Sequence, residues 1–282
     1  MTTTITMNNP SFSLNIVSDL MEMWRYDFMQ HAFEAGTIVA VVAGIIGYFI
    51  VLRRSSFAAH ALSHVGFTGA AGAVLFGLNP LVGLFAFTMS GGVLIAILGR
   101  RAASRDVQIG VVLAFMLGLG VLFISLYSGY ATEAYSLLFG EILGISMTDV
   151  WTTLIAGILV LVVFAVLYRP LLFTSLDEDV AEAKGVSVFG VNIAFMLLIA
   201  AATSIAVQVV GVLLIFSLMV TPAAVASRLA RRSIQGVAIS VALALAATWL
   251  GLFISFYAPY PVSFFITSIT FGVYILVRFM QK

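Results

Sequence analysis

Long apolar stretches alternate with short polar breaks along this chain, and few of the stretches show the one-sided polarity of a surface helix. A bilayer span needs about 20 largely apolar residues. Stretches of that length lie near 32–52, 57–77, 80–99, 107–127, 150–168, 188–207, 209–227, 236–257 and 260–278. The pattern predicts eight or nine transmembrane helices. Turn chemistry separates several of them, with Asn79-Pro80 between the second and third and Pro259 and Pro261 between the last two. Residues 14–31 read as an amphipathic, interfacial lead-in, with Trp24 and Tyr26 suited to headgroup depth. The segment 135–147, YSLLFGEILGISM, is too short to span and fits a short re-entrant helix. The predicted fold class is all-α, a polytopic helical membrane protein. Residues 1–27 form an extracytoplasmic or interfacial segment, and 28–282 form a single transmembrane domain.

Composition agrees: 62% of the 282 residues are apolar and only 9% are charged, where a soluble domain is about a quarter charged. With no cysteine, disulfides and thiolate metal sites are excluded. Residues 1–13 have no basic stretch ahead of a short apolar core, so a cleaved signal peptide is not expected.

The net charge of +1 says little, but the placement of the charges says more. In a nine-span arrangement Arg53, Arg54, Arg100, Arg101, Arg105, Arg169, Lys184, Arg228, Arg231, Arg232, Arg278 and Lys282 share one side, and only Arg25 falls on the other. The positive-inside rule makes that side the cytoplasm, with the N-terminus outside and the C-terminus inside. The opposite side is acidic, with Asp19, Glu22, Asp27 and Glu34 near the first span and Glu133, Glu141 and Asp149 between the fourth and fifth. These are either an acidic mouth that concentrates cations or ordinary solvated loop charges.

The most informative stretch is 53–72, RRSSFAAHALSHVGFTGAAG. His60 and His64 are four residues apart, on one helical face. Counted from Arg54 at the inner interface, they lie roughly 9 and 15 Å into the span. Two imidazoles in a segment that otherwise suits lipid point to a pathway for a divalent metal, since imidazole is a good ligand for borderline cations. Thr68 and Gly72 continue the four-residue stripe, and Gly69 and its alanine neighbours make the helix thin. The same features also fit a tightly packed helix whose histidines bond to neighbouring carbonyls.

Catalysis is poorly supported. A zinc protease needs glutamate beside the first histidine of His-Glu-x-x-His, and here that residue is Ala61. Neither a Gly-x-Ser-x-Gly elbow nor a phosphate-binding loop is present. Uphill transport would therefore need an ATPase on another chain or an ion gradient. A charged loop bears on that choice. In LLFTSLDEDVAEAKGVSVFG, Asp177 can cap a short helix through Ala183 and Gly185 can end it. A small intracellular helix of this form can dock into a groove on a motor domain, or it can be a plain capped loop.

Several motifs in order resemble the membrane permease of metal-cation ABC importers, the family of zinc and manganese permeases. They are YDFMQHAFEAGT, VLRRSSFAAHALSHVGFTGAA, LLFGEILGIS at 137–146, DEDVAEAKGV with Asp177, Ala181 and Gly185, and VVGVLLIFSLMVTPAAVA with Gly211, Pro222 and Ala226. The resemblance implies a permease homodimer in the bacterial plasma membrane, with ABC ATPase subunits below and an extracytoplasmic metal-binding protein above. It implies no resident cofactor, no enzymatic activity of the chain's own and no nucleic-acid partner. The cargo would be a divalent metal ion, zinc (Zn2+) first, with manganese (Mn2+) or iron next. Many members carry aspartate where this chain has His60, proline at Thr68, and aspartate where Pro259 stands. Imidazole in place of carboxylate moves a site from manganese toward zinc, nickel or cobalt. Two histidines do not complete a tetrahedral shell. The rest can come from water, from Glu34, Glu133 or Glu141, or from a second subunit. A permease for a siderophore or cobalamin chelate and a gradient-driven cation channel are the alternative readings.

Overall fold

The computed structural model describes residues 21–99, 105–127, 140, 142–258 and 260–280, leaving aside the Arg105 side chain. Among the described residues nine long helices and one short one follow in order: α1 Asp27–Leu52, α2 Ser56–Leu75, α3 Pro80–Leu98, α4 Arg105–Leu126, α5 Met147–Leu176, α6 Glu178–Ala183, α7 Val188–Val210, α8 Val212–Leu229, α9 Ser233–Tyr257 and α10 Val262–Met280. A 3-10 turn at Ile142–Gly144 precedes α5. No strand occurs among the described residues. Eight helices among the described residues combine the length and apolarity of a membrane span. The ninth, α2, is long enough at 20 residues but is diluted by its histidines, serines, threonine and glycines. It is sheltered instead, packed among α3, α4, α7 and α8.

Apolarity all round these helices leaves packing to decide which are central. Within a bilayer, helices associate through close contact and hydrogen bonds, because lipid is as apolar as leucine. Helices α1 and α7 form the middle and are mostly buried, whereas α4 is mostly exposed. Small residues make the close approaches possible. A Cβ on Gly47 of α1 would overlap the Met219 carbonyl of α8, and Gly69 of α2 meets Gly83 of α3 backbone to backbone. Hydroxyls stitch other pairs: Thr68 Oγ1 donates to the Met116 carbonyl at 2.6 Å between α2 and α4, and Trp249 Nε1 donates to Thr37 Oγ1 at 2.9 Å between α9 and α1.

Local chemistry sets the boundaries. Ser146 and Asp149 form a reciprocal capping box that starts α5 earlier than the apolar run does. At the other end α5 continues through Pro170 to Leu176, beyond the boundary expected near 168. A proline removes one helical hydrogen bond, and Thr174 Oγ1 donates to the Pro170 carbonyl at 2.9 Å on its C-terminal side. Between α7 and α8 the chain reverses on one residue, Gly211, at φ +80°, a conformation that an L side chain resists. Gly140 packs so tightly against Val210 and Gly211 that a Cβ there would overlap them. Residues 128–139 and 141, and with them Glu133, Glu141 and residues 135–139 and 141 of the expected re-entrant segment, lie outside the described residues.

Candidate functional site

The turn between α1 and α2 aims the histidine helix. Helix α1 closes with Ser55 N donating to Ile50 O at 2.8 Å and Arg54 N donating to Val51 O at 3.1 Å, with Arg54 in the left-handed region at φ +52°. That is the Schellman pattern with arginine where glycine is usual. Helix α2 begins one residue later, at Ser56.

Four and eight residues into α2 stand His60 and His64, whose ring centroids are 4.7 Å apart in a nearly perpendicular arrangement. Phe216 of α8 lies against His60, also at 4.7 Å between centroids. Both imidazoles are half-buried, and the Nδ1 atom of each is buried without a hydrogen-bond partner. Buried ring nitrogens are ordinarily satisfied, but here neither histidine bonds to a neighbouring carbonyl through Nδ1. The pair presents nitrogen donors on one face of the sheltered helix, as borderline divalent cations require.

The other candidates separate spatially. Thr68 is buried and turned to α4, and its hydroxyl is engaged by the Met116 carbonyl. Gly72 faces the Phe123 ring of α4, and Gly69 faces α3. Pro222 is buried inside α8, and Gly211 forms the α7–α8 reversal. Glu34 is exposed and lines an apolar groove of about 620 Å³ with Trp24, Trp151 and Trp249, away from the histidines. Among the described residues no cluster of three or more histidine, aspartate or glutamate side chains could hold a metal ion, so the pair stands there without a third donor of those types. Phe216 is the site residue that sequence reasoning missed. In IFSLMV it looks like any lipid or core aromatic, and no local signal sets it apart.

At the arginine-rich end, Asp177 accepts from Val180 N at 3.0 Å and caps the N-terminus of α6. At its C-terminus Gly185 N donates to Glu182 O at 2.9 Å and Val186 N to Ala181 O at 3.0 Å, with Gly185 at φ +83°. Ala181 is fully buried against the bundle, while Glu178, Asp179, Glu182, Ala183 and Lys184 face outward. The short helix thus presents a charged, rigidly capped surface.

Helices long and apolar enough for a bilayer, wrapped round a buried helix with two imidazoles, define a multi-pass membrane protein. Residues 25–281 match the ABC 3 transport family, and the chain belongs to that family. It is accordingly a transport component whose ATPase is a separate subunit. It is 34% identical over 232 residues to the manganese import system permease protein ScaB of Streptococcus gordonii, covering 82% of this chain and 83% of that protein. It is 31% identical over 235 residues to the manganese transport system membrane protein MntC of Listeria innocua, covering 83% and 84%. Its fold superposes on a chain of PsaBC from Streptococcus pneumoniae, solved in complex with Fab, with a TM-score of 0.82, 28% identity and coverage of 93% and 95%.

Proposed function

We propose that this chain is the permease of an ATP-driven importer for a divalent first-row metal cation, with His60 and His64 as its cargo ligands and α6 as its contact with the ATPase. The observation that carries the metal site is the pair of half-buried imidazoles whose Nδ1 atoms have no protein partner. A neutral imidazole in this setting can bind a cation that passes and then let it go, because two protein donors make an incomplete shell. Water, or the same pair on a second subunit of a homodimer, supplies the remaining ligands. The arginine-rich end faces the cytoplasm and the acidic end receives metal from an extracytoplasmic binding protein.

Zinc is the preferred cargo in this reading, because imidazole nitrogen is a softer donor than carboxylate oxygen. The names of the relatives favour a second reading, in which manganese is carried and the histidine pair serves as a general cation site. The chelate alternative gains no support from the site, whose two imidazoles offer donors to a bare ion rather than a wide cavity. Metal uptake in cells lacking other importers tests the proposal. His64→Ala is expected to abolish uptake while membrane insertion persists, and normal uptake by that variant contradicts it. His60→Asp decides the cargo: a shift of preference from zinc toward manganese supports zinc as the native metal, and unchanged selectivity refutes the donor argument.

A further inference from the structure

Arg53, in the α1–α2 turn, reaches across to the end of α5. Its Nη1 atom donates to Thr174 Oγ1 at 2.7 Å, to Ser175 Oγ at 3.2 Å and to the Leu171 carbonyl at 3.4 Å. Its guanidinium also lies over the Phe195 ring of α7, 5.3 Å from the centroid. Three helices therefore converge on one planar cation. Its acceptors lie in the last turns of α5, after Pro170 and just ahead of α6. A polar cavity of about 330 Å³ runs alongside, lined by Arg53, Arg54, Thr174, Ser175, Asp177 and Glu178 among others.

We infer that Arg53 is a positioning residue for transport: it makes the C-terminal turns of α5, which carry α6, move as one body with the turn that starts the histidine helix. The inference rests on the reading of α6 as the ATPase contact. The mechanical argument is short. Pro170 leaves the helix one hydrogen bond short, so the turns beyond it can pivot. Arg53 grips those turns on their far side. Only Arg54 and Ser55 separate Arg53 from Ser56, the first residue of α2, and the Schellman closure at Arg54 stiffens that link. A displacement of α6 would thus be delivered to the base of α2, about one turn below His60, and not be absorbed at the proline.

Because the chain has no cysteine, spin labels go only where cysteines are placed. Labels at Ser56→Cys, at the start of α2, and Leu176→Cys, at the exposed end of α5, report the distance across the strut in the complete complex with ATPase and binding protein. The expected distribution is narrow and the same with and without ATP. Arg53→Ala is expected to broaden it and to lower the stimulation of ATP hydrolysis by metal-loaded binding protein about tenfold, in the range of allosteric couplings, with basal hydrolysis retained. Thr174→Val, which keeps shape and removes the acceptor, is expected to do the same, and the double variant to be no worse than either alone. Arg53→Lys is expected to restore part of the stimulation. A narrow distribution and normal stimulation in both Arg53→Ala and Thr174→Val overturn the proposal, as does additivity of the two. If Arg53→Ala fails to assemble, Thr174→Val alone decides between these results. Cross-linking of Glu182→Cys to the ATPase separates the two readings: without that cross-link the α6 contact fails, whereas with it and no Arg53 effect the strut alone fails.

Discussion

Gly185 offers the cleanest test of how α6 is held. It sits at φ +83°, is exposed, and a Cβ built there meets no atom within 4 Å. Substitution therefore carries no packing penalty, and only the left-handed backbone conformation resists a side chain. That conformation costs an ordinary L-residue about 1–2 kcal/mol, less for asparagine, and is least tolerated by β-branched residues. The helix it closes has only six residues, so it has few bonds to offset the loss. A loss of about 1–2 kcal/mol changes a folded-to-unfolded ratio by a factor of about 5–30. If the ATPase recognises the capped helix, Gly185→Asn should assemble and transport nearly as wild type, Gly185→Ala less well, and Gly185→Val about 5- to 30-fold more weakly. The assay is the affinity of the detergent-purified permease for its ATPase, with vesicle transport per ATP hydrolysed measured in parallel. Equal behaviour of the asparagine and valine variants would refute the reasoning, because nothing except the backbone distinguishes them at this position.

Other outcomes follow from the packing. Gly69→Ala forces a methyl into the Gly83 carbonyl, and overpacking of this kind typically costs about 1–3 kcal/mol, read as a lowered Tm of the purified protein. Arg54→Gly should raise Tm instead, since it relieves a left-handed arginine worth about 1 kcal/mol. Thr68→Val removes the hydroxyl bond to Met116, and in membranes such bonds average about 0.6 kcal/mol; it should lower Tm slightly without changing metal selectivity.

The parts of this structure that were legible in the sequence are those governed by local chemistry. Span positions follow from runs of apolar residues, and α6 follows from Asp177 and Gly185, whose cap roles depend only on near neighbours. The histidine pair follows from its spacing. The four-residue stripe beyond it is less reliable, for a geometric reason. Four residues advance a helix by about 40° beyond a full turn. By Thr68 the stripe has rotated about 80° from His60, and by Gly72 about 120°. Those residues accordingly face α4, while His60 faces Phe216 of α8. The length of α5 was hidden because a proline ordinarily marks a boundary, yet the helix here continues through Pro170 to Leu176. The grip of Arg53 on Thr174 joins positions 121 apart in the chain, and no periodicity or motif encodes it.

The central claim is that the two imidazoles hold the cargo ion, and X-ray absorption at the zinc edge tests it most directly. The permease in lipid nanodiscs, loaded with zinc, is compared with the His60→Ala/His64→Ala double variant. The expected spectrum shows nitrogen donors at about 2.0–2.1 Å with the multiple scattering of imidazole, and the variant loses that scattering together with most of the bound zinc. Retention of the same zinc content and the same imidazole signature in the double variant would contradict the account.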